Sequence, residues 1–168
     1  NRPLDREDDL YPSCSKFLVD MTLDIYERMT GKSLNIPEEL VRESVYMRAK
    51  ANYSLNNFDE ALADFRKTAT EVVSAEGAES KYRVAELLYK KDQFPDSERI
   101  ITEFIDQNSP HQYWMARMFL LLSDISVKKG DTLQARATLQ SLRDYYTIDN
   151  DGILDEVKAR LDALSQNG

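Results

Sequence analysis

Apolar residues along this chain recur at steps of three and four, the spacing that lines one face of an α-helix. From Ser13 onward, Phe17, Leu18, Met21, Ile25 and Met29 keep that step until Gly31 stops it. Ile36-Pro37 restarts the chain, with Pro37 suited to a first helical turn and Glu38 and Glu39 favourable beside the positive end of the helix dipole. The pattern predicts a helix to about Ser54, a break at Leu55-Asn56-Asn57, and further helices over about 58–75, 78–92, 94–107, 111–129, 131–146 and 152–165. Eight helices with short polar breaks and no strand make an all-α protein.

The helices come in pairs, and the pairs repeat. VRESVYMRAKANYSLNNFDEALADFRKTA from Val41, GAESKYRVAELLYKKDQFPDSERIITEFI from Gly77 and MARMFLLLSDISVKKGDTLQARATLQSLR from Met115 align along their whole length. Ala49, Ala85 and Ser123 fall in register, as do Ala61, Ser97 and Ala135, with successive anchors 36 and then 38 residues apart. Two antiparallel helices joined by a tight turn approach closely only where side chains are small, which explains two small residues twelve positions apart in every pair. Phe58 and Phe94 sit three residues before the second small position and plug the turn; Thr132 is a weaker plug in the third pair. Phe65, Ile101 and Leu139, four residues after that position, should face the core. One such hairpin cannot bury both its faces, so neighbours must stack on it.

The totals fit this picture. At 168 residues, 42% of them apolar and 31% charged, the chain is long enough for one domain with a real core or a short stack of repeats. Five Gly and five Pro leave little turn material for a sheet protein. A net charge of −8 with no basic stripe argues against nucleic acid as a partner. Cys14 is the only cysteine, so there is no intramolecular disulfide or thiolate metal cluster. No apolar run approaches the length a membrane-spanning helix needs. The chain opens at Asn1, without Met and inside polar sequence, which suggests a processed or excised piece.

The repeated small residues, with Val84-Ala85, Tyr89 and Phe94 in the second pair and Leu122-Ser123 and Gly130-Asp131 in the third, resemble the tetratricopeptide repeat over residues 42–146. The first pair departs from that signature at Arg48, where Leu is usual, and at Asn52, where Tyr is usual. The resemblance implies a single domain: an all-α, right-handed α-solenoid of about three antiparallel helix pairs with flanking helices. Residues 1–36 would be a polar lead-in with a partial repeat or cap, 37–76, 77–110 and 111–148 the three repeats, and 149–168 a capping helix. The long period is similar to that of Gram-negative envelope arrays of this family, which implies the periplasm or cell envelope rather than the cytoplasm.

Family geometry also implies an inner wall made by the first helix of each pair. It would carry Glu43, Tyr46, Lys50 and Tyr53, then Glu79, Tyr82, Glu86, Tyr89 and Lys90, then Arg117, Leu120, Asp124 and Lys128. Tyrosines there suit peptide recognition, offering large contact area and a hydrogen-bonding tip. If they do, the hydroxyls of Tyr46, Tyr82 and Tyr89 are reachable from solvent along one concave surface; otherwise these rings only close the helix packing. Tyr46 and Lys50 do not match the Lys and Asn by which some family members clamp a carboxylate.

Other candidates read as structural. His111 has no Cys and no arranged carboxylates for a metal or nucleophile pair, and Tyr113 and Trp114 beside it suit an inter-repeat joint. Residues 147–158 imitate a calcium loop through Asp149, Asp151 and Gly152, but Thr147 and Lys158 stand where its first Asp and its closing Glu belong. Asn150 or Asp151 should instead cap the last helix. Cys14 has no base or cation partner in view. The expectation is therefore a non-catalytic scaffold without cofactor or metal whose partner is a protein or peptide, a second copy of the chain being one such partner. The alternative is a spacer or self-assembly segment of a longer array with no groove ligand.

Overall fold

The computed structural model describes residues 37–166, and over these the chain is all-α. Seven helices are seen among the described residues: α1 Glu38–Ser54, α2 Phe58–Thr68, α3 Ala75–Lys90, α4 Phe94–Asp106, α5 Gln112–Lys128, α6 Thr132–Tyr145 and α7 Ile153–Gln166. The expected helix over 13–30 and Cys14 lie outside the described residues. Two compact units divide the chain between Thr68 and Ala69, the first containing α1 and α2 and the second α3 to α7.

Each of the three hairpins closes with the same backbone turn. Asn57 N–H donates to Asn52 O at 2.8 Å, Gln93 N–H to Leu88 O at 3.0 Å and Asp131 N–H to Ser126 O at 2.9 Å. These three bonds are register equivalents, and each reaches five residues back to satisfy a carbonyl the helix end leaves open. The residue before each donor is left-handed: Asn56 at φ 61°, Asp92 at φ 57° and Gly130 at φ 81°. Asn, Asp and Gly are the residues that tolerate this conformation most easily.

The six small residues lie at the helix contacts. Ala49, Ala61, Ala85, Ser97, Ser123 and Ala135 are all essentially inaccessible to water. Ser97 Oγ donates to Ala85 O at 2.8 Å, a direct measure of how near α3 and α4 come. Phe65, Ile101 and Leu139 are buried as the pattern required. The turn plugs meet an aromatic partner in two hairpins, with Tyr53 and Phe58 ring centroids 5.8 Å apart and Tyr89 and Phe94 5.6 Å apart.

Arg48, the departure noted in the first hairpin, is matched by a second one. It forms a bidentate pair with Asp64 through Nε at 2.5 Å and a terminal nitrogen at 2.6 Å, and Lys67 Nζ donates to Asp64 at 3.0 Å. The equivalent positions in α3–α4 are Val84 and Ile100, so an ion pair replaces an apolar contact. Burial would raise the Asp64 pKa, but Arg48 and Lys67 outweigh it and hold the carboxyl below its ordinary value.

In the second unit α5 packs on α3 and α4, and α7 packs on α6 and α5. One core gathers Tyr82, Ile101, Phe104, Met118, Leu121 and Ile125; a second gathers Ala116, Leu120, Leu139, Ile153 and Val157. Between the units the sequence reading needs a correction. The helix expected over 58–75 ends at Thr68, and the next begins three residues earlier than the expected 78. Thr68, Thr70, Val72 and Val73 favour extended backbone, and Ser74 caps α3 by accepting from Gly77 N–H at 3.1 Å.

Two outcomes test these contacts. A Cβ built on Gly77 would lie 1.9 Å from the Glu71 carbonyl oxygen, so Gly77→Ala should lower stability in urea unfolding by about 1–3 kcal/mol. The lowered Asp64 pKa stabilises the fold above the unfolded-chain value of about 4 and ceases to do so as pH falls through the folded value. Acid titration should therefore destabilise the native chain more than Asp64→Asn over that window; parallel profiles would show that the pair does not matter.

Candidate functional site

The predicted wall residues divide between the two units. In the first, Tyr46 is 7% exposed, with the Lys50 ammonium 5.4 Å from its ring centroid. Tyr53 is half-buried, with its ring edged by Phe58 and by Phe65 at 6.4 Å. Glu43 and Lys50 are exposed.

In the second unit, helices α3, α5 and α7 bring their polar residues into one chain of contacts. Tyr82 is 3% exposed, and its hydroxyl accepts from Arg117 at 2.9 and 3.3 Å. Trp114 covers the same ring at a centroid distance of 5.4 Å. Arg117 donates onward to one oxygen of Glu156 at 2.6 Å, and Arg160 donates to the other at 2.9 Å. Arg160 also grips Asp124 with two donors at 2.9 and 3.0 Å. The sequence of groups is phenol, guanidinium, carboxylate, guanidinium, carboxylate, with opposite charges adjacent from Arg117 onward.

The titrations follow from this order. Burial, reinforced by the Glu86 charge, pushes the Tyr82 phenol up to about 12, with Arg117 opposing. Arg160 is held above its ordinary value by the hydrogen bonds and charge of Asp124 and Glu156, against the effect of burial. Burial and the Asp124 charge also raise Tyr89.

The structure corrects the expectation of open tyrosine hydroxyls. Tyr46 and Tyr82 are buried, so they do not line a groove, and Leu120 belongs to the core with α7. Glu79 and Glu86 both pair with Arg83, at 3.4 and 2.9 Å. What stays open is a shallow pocket of about 210 Å³ formed by Tyr89, Asp124, Val127, Lys128, Arg160 and Leu164. Tyr89 is half-buried there, and Lys90 and Lys128 are exposed nearby in sequence or in the lining. Arg160 and Glu156 complete this network, and single-residue reading missed them. Their signal was present as an i, i+4 acid–base pair on the last helix.

His111 and the 147–158 loop take structural roles. His111 Nε2 lies 2.9 Å from Val73 O, and Ser109 Oγ donates to Val72 O at 2.8 Å, so this segment fastens the bend before α3. Asp151 accepts from Ile153 N–H at 3.1 Å and from the Tyr146 hydroxyl, which caps α7. Among the described residues no cluster of three His, Cys, Asp or Glu is placed to hold a metal ion. Nor is any described helix long and apolar enough to cross a membrane. Comparison with protein-family models, with curated proteins and with solved structures gave no match.

The network has an alkaline signature. A phenol raised from about 10 to about 12 contributes stability that is fully present below pH 10 and is lost as pH rises through 12. Burial and Asp151 also delay Tyr146, so ultraviolet titration should show the absorbance rise near pH 12 smaller by one tyrosine in Tyr82→Phe, and that variant should lose about 1–2 kcal/mol at neutral pH. An unchanged titration curve in the variant would refute the assignment.

Proposed function

We propose that this chain is a tetratricopeptide-type scaffold: a non-catalytic module whose hairpins are of the right-handed α-solenoid kind and whose open surface holds a segment of another protein. The observation that supports the reading best is the threefold recurrence of one hairpin. The turn bond, the left-handed residue and the buried pair of small residues repeat at the same register each time. Repeats of this kind serve mainly as surfaces, because each unit adds area without adding a reactive centre. The surface that supports partner binding is the pocket beside Tyr89 and Lys128, where a half-buried ring and an exposed cation stand next to the Asp124–Arg160 pair. A partner segment carrying an apolar side chain and a carboxylate matches those groups.

The alternative, a spacer in a longer array, draws support from the ion-pair chain through Arg117, Glu156 and Arg160, which satisfies the inner wall without any ligand. Affinity capture separates the two readings. Gram-negative envelope extract should yield proteins retained by the native chain and lost at least about tenfold by Tyr89→Ser with Lys128→Glu, the helix content unchanged. Retention equal in both, or none in either, would favour the spacer.

A further inference from the structure

We propose that the α5–α6 hairpin carries a binding pocket for an uncharged, mostly apolar small molecule, a site separate from the Tyr89 surface and independent of the scaffold reading. The pocket is an open groove of about 560 Å³ between the two helices, a volume within the range of sites that take up small ligands. Its wall is made chiefly by Met115, Phe119 and Leu122 on α5 and by Ala137, Ser141 and Tyr145 on α6. None of its lining residues carries a charge, in a chain where 31% of residues do.

Comparison with the other hairpins makes the neutrality specific. The equivalent cleft of α1–α2 is bridged by the Arg48–Asp64 pair with Lys67. That of α3–α4 is bridged by Lys81, which donates to Gln107 at 3.0 Å and pairs with Glu103 at 3.4 Å, while the Glu71 carbonyl closes over Gly77. In α5–α6 the same register holds Phe119 for Lys81, Ser141 for Glu103, Tyr145 for Gln107 and Met115 for Gly77. Each bridging or closing group has been exchanged for a neutral one, and open space takes the place of the polar bridge.

The lining sets the ligand's chemistry. An ion entering this cleft would give up water with no counter-charge to meet it, which disfavours acids and amines. Gln112, Gln134 and Ser141 supply neutral hydrogen-bonding groups at the mouth, which suits one alcohol, amide or carbonyl on an apolar body. A docked protein is the poorer occupant. The pocket spans roughly three turns, about 15 Å, of each helix, and exposed, charged Arg143 and Asp144 follow its lining residues Ser141 and Leu142 along α6. A stable protein interface needs about 800 Å² on each side.

The test is titration of the full chain with the neutral fluorophore N-phenyl-1-naphthylamine. Saturable enhancement at one site is expected, displaced by decanol and about tenfold less well by decanoate at neutral pH. Ser141→Arg, which charges the cleft, and Ala137→Trp, which fills it, alter exposed positions and should each weaken the probe by about tenfold or more while helix melting is unchanged. In the native chain, methyl resonances of Met115 and Ala137 should shift on addition of the probe. No saturable binding, equal displacement by decanoate, undiminished binding in either folded variant, or shifts confined to other residues would each overturn the proposal.

Discussion

The rest of this structure depends on how closely two helices can approach at a pair of small side chains. Where Ser97 Oγ reaches the Ala85 carbonyl at 2.8 Å, side chain and backbone of neighbouring helices are in direct contact. A larger residue at either place would hold the backbones apart and open the hairpin along its length. The short turn follows from that approach. With only three residues between helix ends, one must adopt a left-handed conformation so that the next N–H can turn back to the helix carbonyl, and Asn56, Asp92 and Gly130 are the residues that do so. Burial of Phe65, Ile101 and Leu139 in turn requires this closeness, since each lies one helical turn beyond the second small residue.

On this shared frame the hairpins differ in how they close their remaining clefts. The first uses Arg48, Asp64 and Lys67, and the second uses Lys81 with Glu103 and Gln107. Replacing one member of such a bridge strands the other, which is why the two residues at each site must change together. The third hairpin has neutral residues at all the equivalent places. Hairpins that share one turn and one pair of small contacts therefore present different chemistry.

Much of the frame was legible in the sequence because it rests on residue size and spacing. Small residues twelve apart, an aromatic three before and a large residue four after are properties of a single chain read in register. The end of α2 was less legible. Apolar positions at Val72 and Val73 extend the helical period past Thr68, while their β-branching and the Ser74 cap favour a break, and the cap prevails. The polar residues of α3 and α5 were legible as neighbours but not in their exposure. Tyr82, Arg117 and Asp124 do belong to one face, yet Tyr82 is covered by Trp114 and Arg117, residues 32 and 35 positions away. Nothing near Tyr82 in sequence signals that cover. Arg48 stood out as a departure, and its answer at Asp64 was visible only through the sixteen-residue step between facing helices.

The half-buried chain of charges limits what any partner can do at this face. A carboxylate seeking Arg117 would have to displace Glu156, which Arg160 holds by its other oxygen, and Arg160 is itself fixed by Asp124. Breaking one link exposes a second unpaired charge, so exchange costs more than a single surface ion pair returns. Recognition that adds contacts is favoured over recognition that swaps them. Lys128 and the half-buried ring of Tyr89 stand at the edge of this chain, where an approaching segment gains an ion pair and apolar area while the network stays whole.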